Sequence, residues 1–229
     1  VSGKYYHALV ALFSTTLVIS NIMAVKLVHI VGLYLPAAVI LFPVTYIFGD
    51  VLTEVYGYAR ARQAIWIGFG CNLAAVAALT VGSWLPSAPF WSAGSFSSPE
   101  QAQLAYQAIL GFAPRLLLAS FVAYLAGEFL NSYIMARLKV ATSGRYLWVR
   151  TISSTLVGEG VDSAIFISVA FFGILQLGDL SATILSQWLF KSAYETLATP
   201  LTYVVVNGLK RVEQIDTFDR ETAFTPIRF

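Results

Sequence analysis

Charged residues are scarce in this chain. Only 11% of its 229 positions are Asp, Glu, Lys or Arg, and 58% are hydrophobic, whereas a soluble domain carries about 25% charge. A sequence so short of solvating groups cannot present a water-soluble surface. An excess of one sign is missing as well: the net charge is +2, so no basic surface points to nucleic acid. Cys71 is the single cysteine, which excludes a disulfide framework and a cysteine metal cluster and leaves Cys71 as a packing residue. His7 and His29 are the only histidines, and both fall at expected membrane boundaries, as interfacial residues rather than ligands. The sequence has no HExxH, no GxSxG and no Walker loop, which disfavours an intramembrane zinc protease or an ATP-driven pump, and no metal or cofactor is implied. A potassium-type filter is also missing. The opening VSGKYYHALV has no signal-peptidase pattern, so the first apolar segment is expected to stay in the membrane.

Long apolar runs are what the chain has instead. A span needs about 20 mostly apolar residues to cross roughly 30 Å of hydrocarbon, and six windows qualify, over 5–25, 32–56, 63–85, 108–136, 148–173 and 183–207. The expected fold is all-α: a polytopic integral membrane protein with six transmembrane helices in one transport domain over 1–209, followed by a polar tail over 210–229. The basic residues agree with that count. Lys4 precedes the first window, Arg60 and Arg62 follow the second, Arg137, Lys139, Arg145 and Arg150 follow the fourth, and Lys210, Arg211, Arg220 and Arg228 follow the sixth. Only Lys26 falls on the opposite side, so the positive-inside rule puts both termini in the cytoplasm. The loop LPSAPFWSAGSFSSPEQ, over 85–101, has neither Lys nor Arg and reads as an external surface connection.

Charge inside the windows is the informative exception. An acidic side chain at a helix centre costs about 3 kcal/mol on insertion scales, so it reports a water-filled cavity or a pairing network. Asp50 and Glu54 close the second window, Glu128 and Arg115 lie in the fourth, Glu159 and Asp162 in the fifth, Lys191 and Glu195 in the sixth. Steps of three and four put Tyr46, Asp50 and Glu54 on one helix face, Thr155, Glu159, Asp162 and Phe166 on another, and Gln187, Lys191, Glu195, Thr199 and Thr202 on a third. Lys191 and Glu195 read either as an intrahelical ion pair or as a substrate- or proton-handling pair. Glu54 is either interfacial, neutralised by Arg60 or Arg62, or part of an inner gate to which Arg150 also belongs. Arg115 either snorkels to the outer surface or gates.

Three hexads repeat an acid directly after glycine: GDVLTE over 49–54, GEFLNS over 127–132 and GEGVDS over 158–163. Another polar residue, such as Asn131, follows within each. Glycine permits close backbone approach or a local break, both of use where transporter helices line a site. PVTY over 43–46 recurs as PLTY over 200–203, and proline there is expected to kink the second and sixth spans. Six acids against Arg115 and Lys191 leave an excess of four negative charges in or near the membrane. Either some carboxyls hold protons or a substrate supplies positive charge and donors. Tyr46, Phe166, Trp188, Tyr194 and Tyr203 accompany the polar stripes, where aromatic faces suit a flat, donor-rich heterocycle or an organic cation, or serve as packing and interfacial anchors.

The stretches PVTYIFGDVLTEVYGYARARQAIWIGF, APRLLLASFVAYLAGEFLNS, LWVRTISSTLVGEGVDSAIF and KSAYETLATPLTYVVV occur in order. Together they resemble the bacterial queuosine precursor transporter family, also described as vitamin uptake transporters, from about Asn21 to Glu213. The resemblance implies a six-helix protein of the bacterial inner membrane, not an enzyme, that imports the 7-cyano or 7-aminomethyl form of 7-deazaguanine. Such a base presents a ring amide N–H beside an exocyclic amine, which one carboxylate can accept as a bidentate pair while an aromatic ring stacks. On that implied substrate, Glu159, Asp162 or Asp50 reads the donor edge, with Tyr46 or Phe166 stacking. Glu128, Asn131 and the Lys191/Glu195 pair complete the site or handle a proton. A secondary carrier with a midplane site is the leading reading, either proton-coupled or running by facilitated diffusion. The alternatives are a membrane-embedded binding subunit needing an energising partner and a carboxylate-based intramembrane enzyme. Besides the small-molecule substrate and the bilayer, a second copy is the one partner considered, since Gly and Ala on spans three and four serve either internal packing or a homodimer.

Overall fold

The structure is a computed structural model of the chain, and it describes residues 3–30, 33–92, 94, 96–111 and 114–227. Arg228, counted above among the basic residues, lies outside them. Among the described residues the regular elements are helices apart from one hairpin. The elements in order are α1 (Tyr6–Met23), β1 (Leu27–Ile30), β2 (Leu33–Pro36), α2 (Phe42–Tyr56), α3 (Tyr58–Trp84), α4 (Pro99–Leu110), α5 (Pro114–Ala141), α6 (Leu147–Phe171) and α7 (Leu177–Glu213). The all-α expectation holds, with β1 and β2 forming a two-stranded antiparallel ribbon. Among the described residues five segments are long and apolar enough to cross a membrane: α1, Ala37–Tyr56, α3, the stretch covering α4 and α5, and α6. Helix α7 has the length, 37 residues, but its polar stripe leaves it less apolar than the others.

Two of the six windows differ in detail from one continuous helix. The second was expected to span 32–56, but strand β2 and a 3-10 turn over Ala37–Ile40 come first. Proline explains the break. Pro36 is extended at ψ 140°, and Pro43 occupies the first turn of α2, where its missing N–H is not needed and its fixed φ suits a helix start. PVTY therefore starts a helix instead of kinking one, whereas Pro200 of PLTY does lie inside α7. In the fourth window, α4 ends at Leu110 and α5 begins at Pro114.

Helix α2 sits at the centre and packs against α1, α3, α5 and α7. Every residue from Gly49 to Tyr56 is buried, which suits a helix wrapped on all sides. One core cluster joins Tyr6, Leu9 and Val10 of α1 to Val51, Leu52 and Val55 of α2, Met135 of α5 and Val206 of α7. Helices α5 and α6 cross where neither can carry a side chain. A Cβ on Gly158 would lie 3.0 Å from the Gly127 carbonyl oxygen, and one on Gly127 would lie 3.1 Å from that of Gly158. A Cβ on Gly49 would meet Glu128 Oε2 at 2.8 Å. The glycine preceding each acid is thus a point of helix contact.

Both termini gather at one end. The backbone N–H groups of Lys4 and Tyr5 donate to Glu213 at 2.8 and 2.6 Å, and the Tyr56 hydroxyl donates to the same carboxylate at 2.9 Å. Beyond α7 the chain folds back as a strap across the ends of α2, α3 and α5. Asp219 accepts from Tyr58 N–H at 3.0 Å, at the open N-terminus of α3. Thr217 N–H donates to the Val55 carbonyl at 3.2 Å, and Arg62 donates to the carbonyls of Ala223 and Thr225 at 3.1 and 2.8 Å. The Phe224 ring packs 5.0 Å from Tyr58 and 5.2 Å from Tyr133.

Candidate functional site

Polar side chains on α2, α5, α6 and α7 converge because each helix turns its stripe inward. The convergence has two levels. Nearest the termini, Glu54 is fully buried and accepts a bidentate pair from Arg150, Nε to Oε2 and Nη2 to Oε1, both at 2.7 Å. Lys210 Nζ donates to Glu54 Oε1 at 2.5 Å. Lys139 donates to the Glu54 backbone carbonyl at 2.5 Å and lies 3.6 Å from Glu54 Oε1. The strap adds Asp216, 2.5 Å from Lys139 and 2.9 Å from Lys210. Partial burial works against the Asp216 anion, but hydrogen bonds from Lys139 and Lys210 outweigh it and hold the carboxyl below its ordinary range.

Glu54 is therefore neutralised by Arg150 and Lys210 and not by Arg60 or Arg62. Arg62 is occupied by the strap, while Arg60 reaches Gln63 and the face of Tyr6. Lys139 and Lys210 stood in the sequence as ordinary loop charges, yet spacing held a signal for both. Lys139 continues the steps Glu128, Asn131, Met135 along α5, and Lys210 continues Glu195, Thr199, Thr202, Val206 along α7. Asp216 carried no such signal, because only the fold-back of the strap brings it there.

At mid-depth lie Tyr46, Asp50, Glu128, Asn131, Glu159, Asp162, Lys191 and Glu195, none more than 4% exposed. Lys191 reaches across from α7 to α6, with Nζ 2.5 Å from Asp162 Oδ2 and 2.9 Å from Glu159 Oε2. Its partners are on α6 and not Glu195, so the intrahelical pair is replaced by an interhelical one. A lysine stem is long enough to choose, and two carboxylates offer more than one. Asn131 donates to Asp50 at 2.8 Å. Among the described residues, both oxygens of Glu128 and the Tyr46 hydroxyl lack a hydrogen-bond partner, and Glu195 has Thr155 beside it.

A narrow cleft opens at the end opposite the termini and reaches down to Asp162 and Lys191, with a cavity volume of about 80 Å³. Its walls include Phe42 of α2, Phe166 of α6 and Phe190 of α7, with Asn21, Ser120 and Gln187 as polar groups. Lys191 Nζ stands 4.2 Å from the centroid of Phe42, and Ser120 donates to Asn21 at 3.1 Å. Phe166 falls where the sequence reading put it. Phe42, Asn21 and Ser120 were missed, the last two because they are uncharged residues in otherwise apolar helices. Arg115 is not brought into either level: it donates to the carbonyls of Val169 and Phe172 at 2.6 and 2.5 Å and so caps the end of α6.

A bundle of apolar helices, a cleft that ends on buried charge and an ion network closing the other end together mark a multi-pass membrane protein, with the cleft as its candidate site. Comparison with known proteins agrees. The family described as "Putative vitamin uptake transporter" matches residues 36–205, and the chain belongs to that family. It is also 32% identical over 187 residues to the "Probable queuosine precursor transporter" of Bacillus subtilis (strain 168), a match covering 81% of this chain and 78% of the relative. No solved structure matches.

Proposed function

We propose that this protein is a secondary carrier that imports a 7-deazaguanine precursor of queuosine, the nitrile or the aminomethyl form, across the bacterial inner membrane by alternating access. The observation that carries the reading is the asymmetry of the two ends: a cleft open on one side down to Asp162 and Lys191, and an ion network that includes Glu54 and Arg150 filling the other. With the Lys/Arg-rich end in the cytoplasm, this form faces outward. The name of the Bacillus relative supports the substrate.

Phe42 and Phe166 line the cleft together with Asp162 and offer it aromatic faces. The donor edge of a deazaguanine displaces Lys191 from Asp162, which then accepts the ring N–H and the amine as a pair. Asn21 and Gln187, with amides free to donate or accept, complement the rest of the base. Inward opening requires Glu54 and Arg150 to part. The substrate leaves unchanged, so no residue is assigned to catalysis.

The test is uptake of labelled precursor into bacteria unable to make queuosine and deprived of their own carriers. Expression of this chain restores uptake and tRNA modification; uptake no higher than in the empty strain defeats the reading. Purified protein in liposomes reports whether it acts alone, since a subunit that needs an energising partner is inactive there.

A further inference from the structure

Five carboxyls surround a single ammonium at mid-depth. Asp50 comes from α2, Glu128 from α5, Glu159 and Asp162 from α6, and Glu195 from α7, each 3% exposed or less. Lys191 is committed to Asp162 and Glu159, and Asn131 to Asp50. Among the described residues no group is placed to donate to either oxygen of Glu128, and Thr155 is the neighbour that offers Glu195 a hydroxyl.

Most of the titratable groups that face these two carboxyls are themselves acids. Tyr46 and Asp50 of α2, Tyr124 of α5, Thr155, Glu159 and Asp162 of α6 and Lys191 of α7 are their titratable and polar neighbours. Lys191 is the one cation among them, and it is already shared. A carboxylate taken out of water with neither a cation nor a donor is too costly to persist, whereas the neutral acid is tolerated.

We propose that Glu128 and Glu195 are the proton sites of coupled import. This rests on the carrier reading above. Each carboxylate takes a proton from external water while the cleft is open down to Asp162. The base then binds above them. When Glu54 and Arg150 separate and cytoplasmic water enters, the ionised carboxylates become solvated and both protons leave inward with the substrate. No bond of the substrate forms or breaks, and the positive charge moved is that of the protons.

The experiment uses the pure full-length protein in liposomes, with the neutral nitrile form of the base and the membrane potential clamped at zero. A lumen one pH unit more alkaline than the medium drives accumulation of about tenfold for each proton carried, since one unit corresponds to a tenfold ratio per proton. A dye in the lumen records acidification that requires substrate. Glu128→Gln and Glu195→Gln keep the shape of the acid form; each lowers the accumulation ratio and flattens the pH profile of substrate binding, while exchange of labelled for unlabelled base continues. Exchange without any pH-driven accumulation in the unmutated protein overturns proton coupling and leaves the carrier reading standing. Accumulation driven by a sodium gradient at equal pH overturns it too. Full pH-driven accumulation in both variants overturns the assignment to these residues, and no exchange at all defeats the carrier reading itself.

Discussion

Near the termini, two carboxylates, Glu54 and Asp216, meet three cations, Arg150, Lys139 and Lys210. At mid-depth lie Asp50, Glu128, Glu159, Asp162 and Glu195, and among the described residues the ion pairs there are those of Lys191 with Glu159 and Asp162. Burial is similar in both places apart from Asp216 and Lys210, so the difference lies in how charge is balanced. A network with a cation for every anion is costly to separate, because parting it strands ions away from water. It behaves as a fastening. A cluster with too few cations can settle only by taking up mobile charge, a proton or a donor-rich ligand. It behaves as a socket. Alternating access needs both, a socket at the centre and a fastening that holds one end shut while the other is open.

Breaking the fastening has the largest expected effect. Arg150→Ala leaves Glu54 buried without its bidentate partner, and losing one member of a buried pair costs about 3–5 kcal/mol. The thermal midpoint of the purified protein falls accordingly, and Glu54→Gln introduced with it restores much of the loss. If the double variant instead shows the sum of the two single losses, Glu54 and Arg150 are not energetically coupled and the comparison fails.

Altering the contact that sets both levels comes next. In Gly158→Ala the new Cβ meets the Gly127 carbonyl oxygen at 3.0 Å and the Asn131 Cβ at 2.8 Å. Crowding of this kind costs about 1–3 kcal/mol. Because α6 carries Arg150, Glu159 and Asp162, both stability and transport drop together. A variant that transports normally would show that the α5–α6 crossing tolerates movement.

The two levels were unequally legible in the sequence. The acids of the socket announced themselves, since charge in an apolar helix is costly and the steps of three and four aligned it. The glycines before Asp50, Glu128 and Glu159 were legible too, and their reason is now the helix crossings they permit. What no local pattern contained was pairing across helices. Lys191 is four residues from Glu195, which made the intrahelical pair plausible, but the tertiary arrangement brings Asp162 and Glu159 nearer. Glu54 sits beside Arg60 and Arg62 in the chain, while its partners lie about a hundred residues on or more. The hairpin ahead of α2 was hidden for another reason: its residues are as apolar as a span, and only Pro36 and Pro43 mark the break.

Within the socket, Asp162→Asn separates binding from stability. The amide retains the shape but no longer accepts from two donors as an anion does, so substrate affinity falls about tenfold, equivalent to about 1.4 kcal/mol. The thermal midpoint changes little, because Lys191 keeps Glu159 as a partner at 2.9 Å. Equilibrium binding of the nitrile base alongside thermal unfolding measures both quantities. A large loss of stability with unchanged affinity would make Asp162 a structural ion and move the recognition site elsewhere.

The smallest effect belongs to the strap. Asp216 is about half exposed, so solvent screens its contacts and its removal costs no more than about 1 kcal/mol. Asp216→Asn still weakens the hold of 214–227 on Lys139 and Lys210, and amide exchange at Thr217 and Tyr58, whose N–H groups bond to Val55 and Asp219, speeds up a few-fold. The pH dependence follows from the direction of the shift. Lys139 and Lys210 hold the Asp216 carboxyl below its ordinary range, so its contribution is complete above the unfolded value near about 4 and is lost only as pH falls through the lower folded value. Between pH 5 and 8, then, the protection of those two amides stays constant once intrinsic exchange is corrected for, whatever substrate accumulation does across the same interval. Protection that tracked accumulation over that range would mean that the strap and the socket titrate as one unit, and the division between a fastening and a socket would have to be given up.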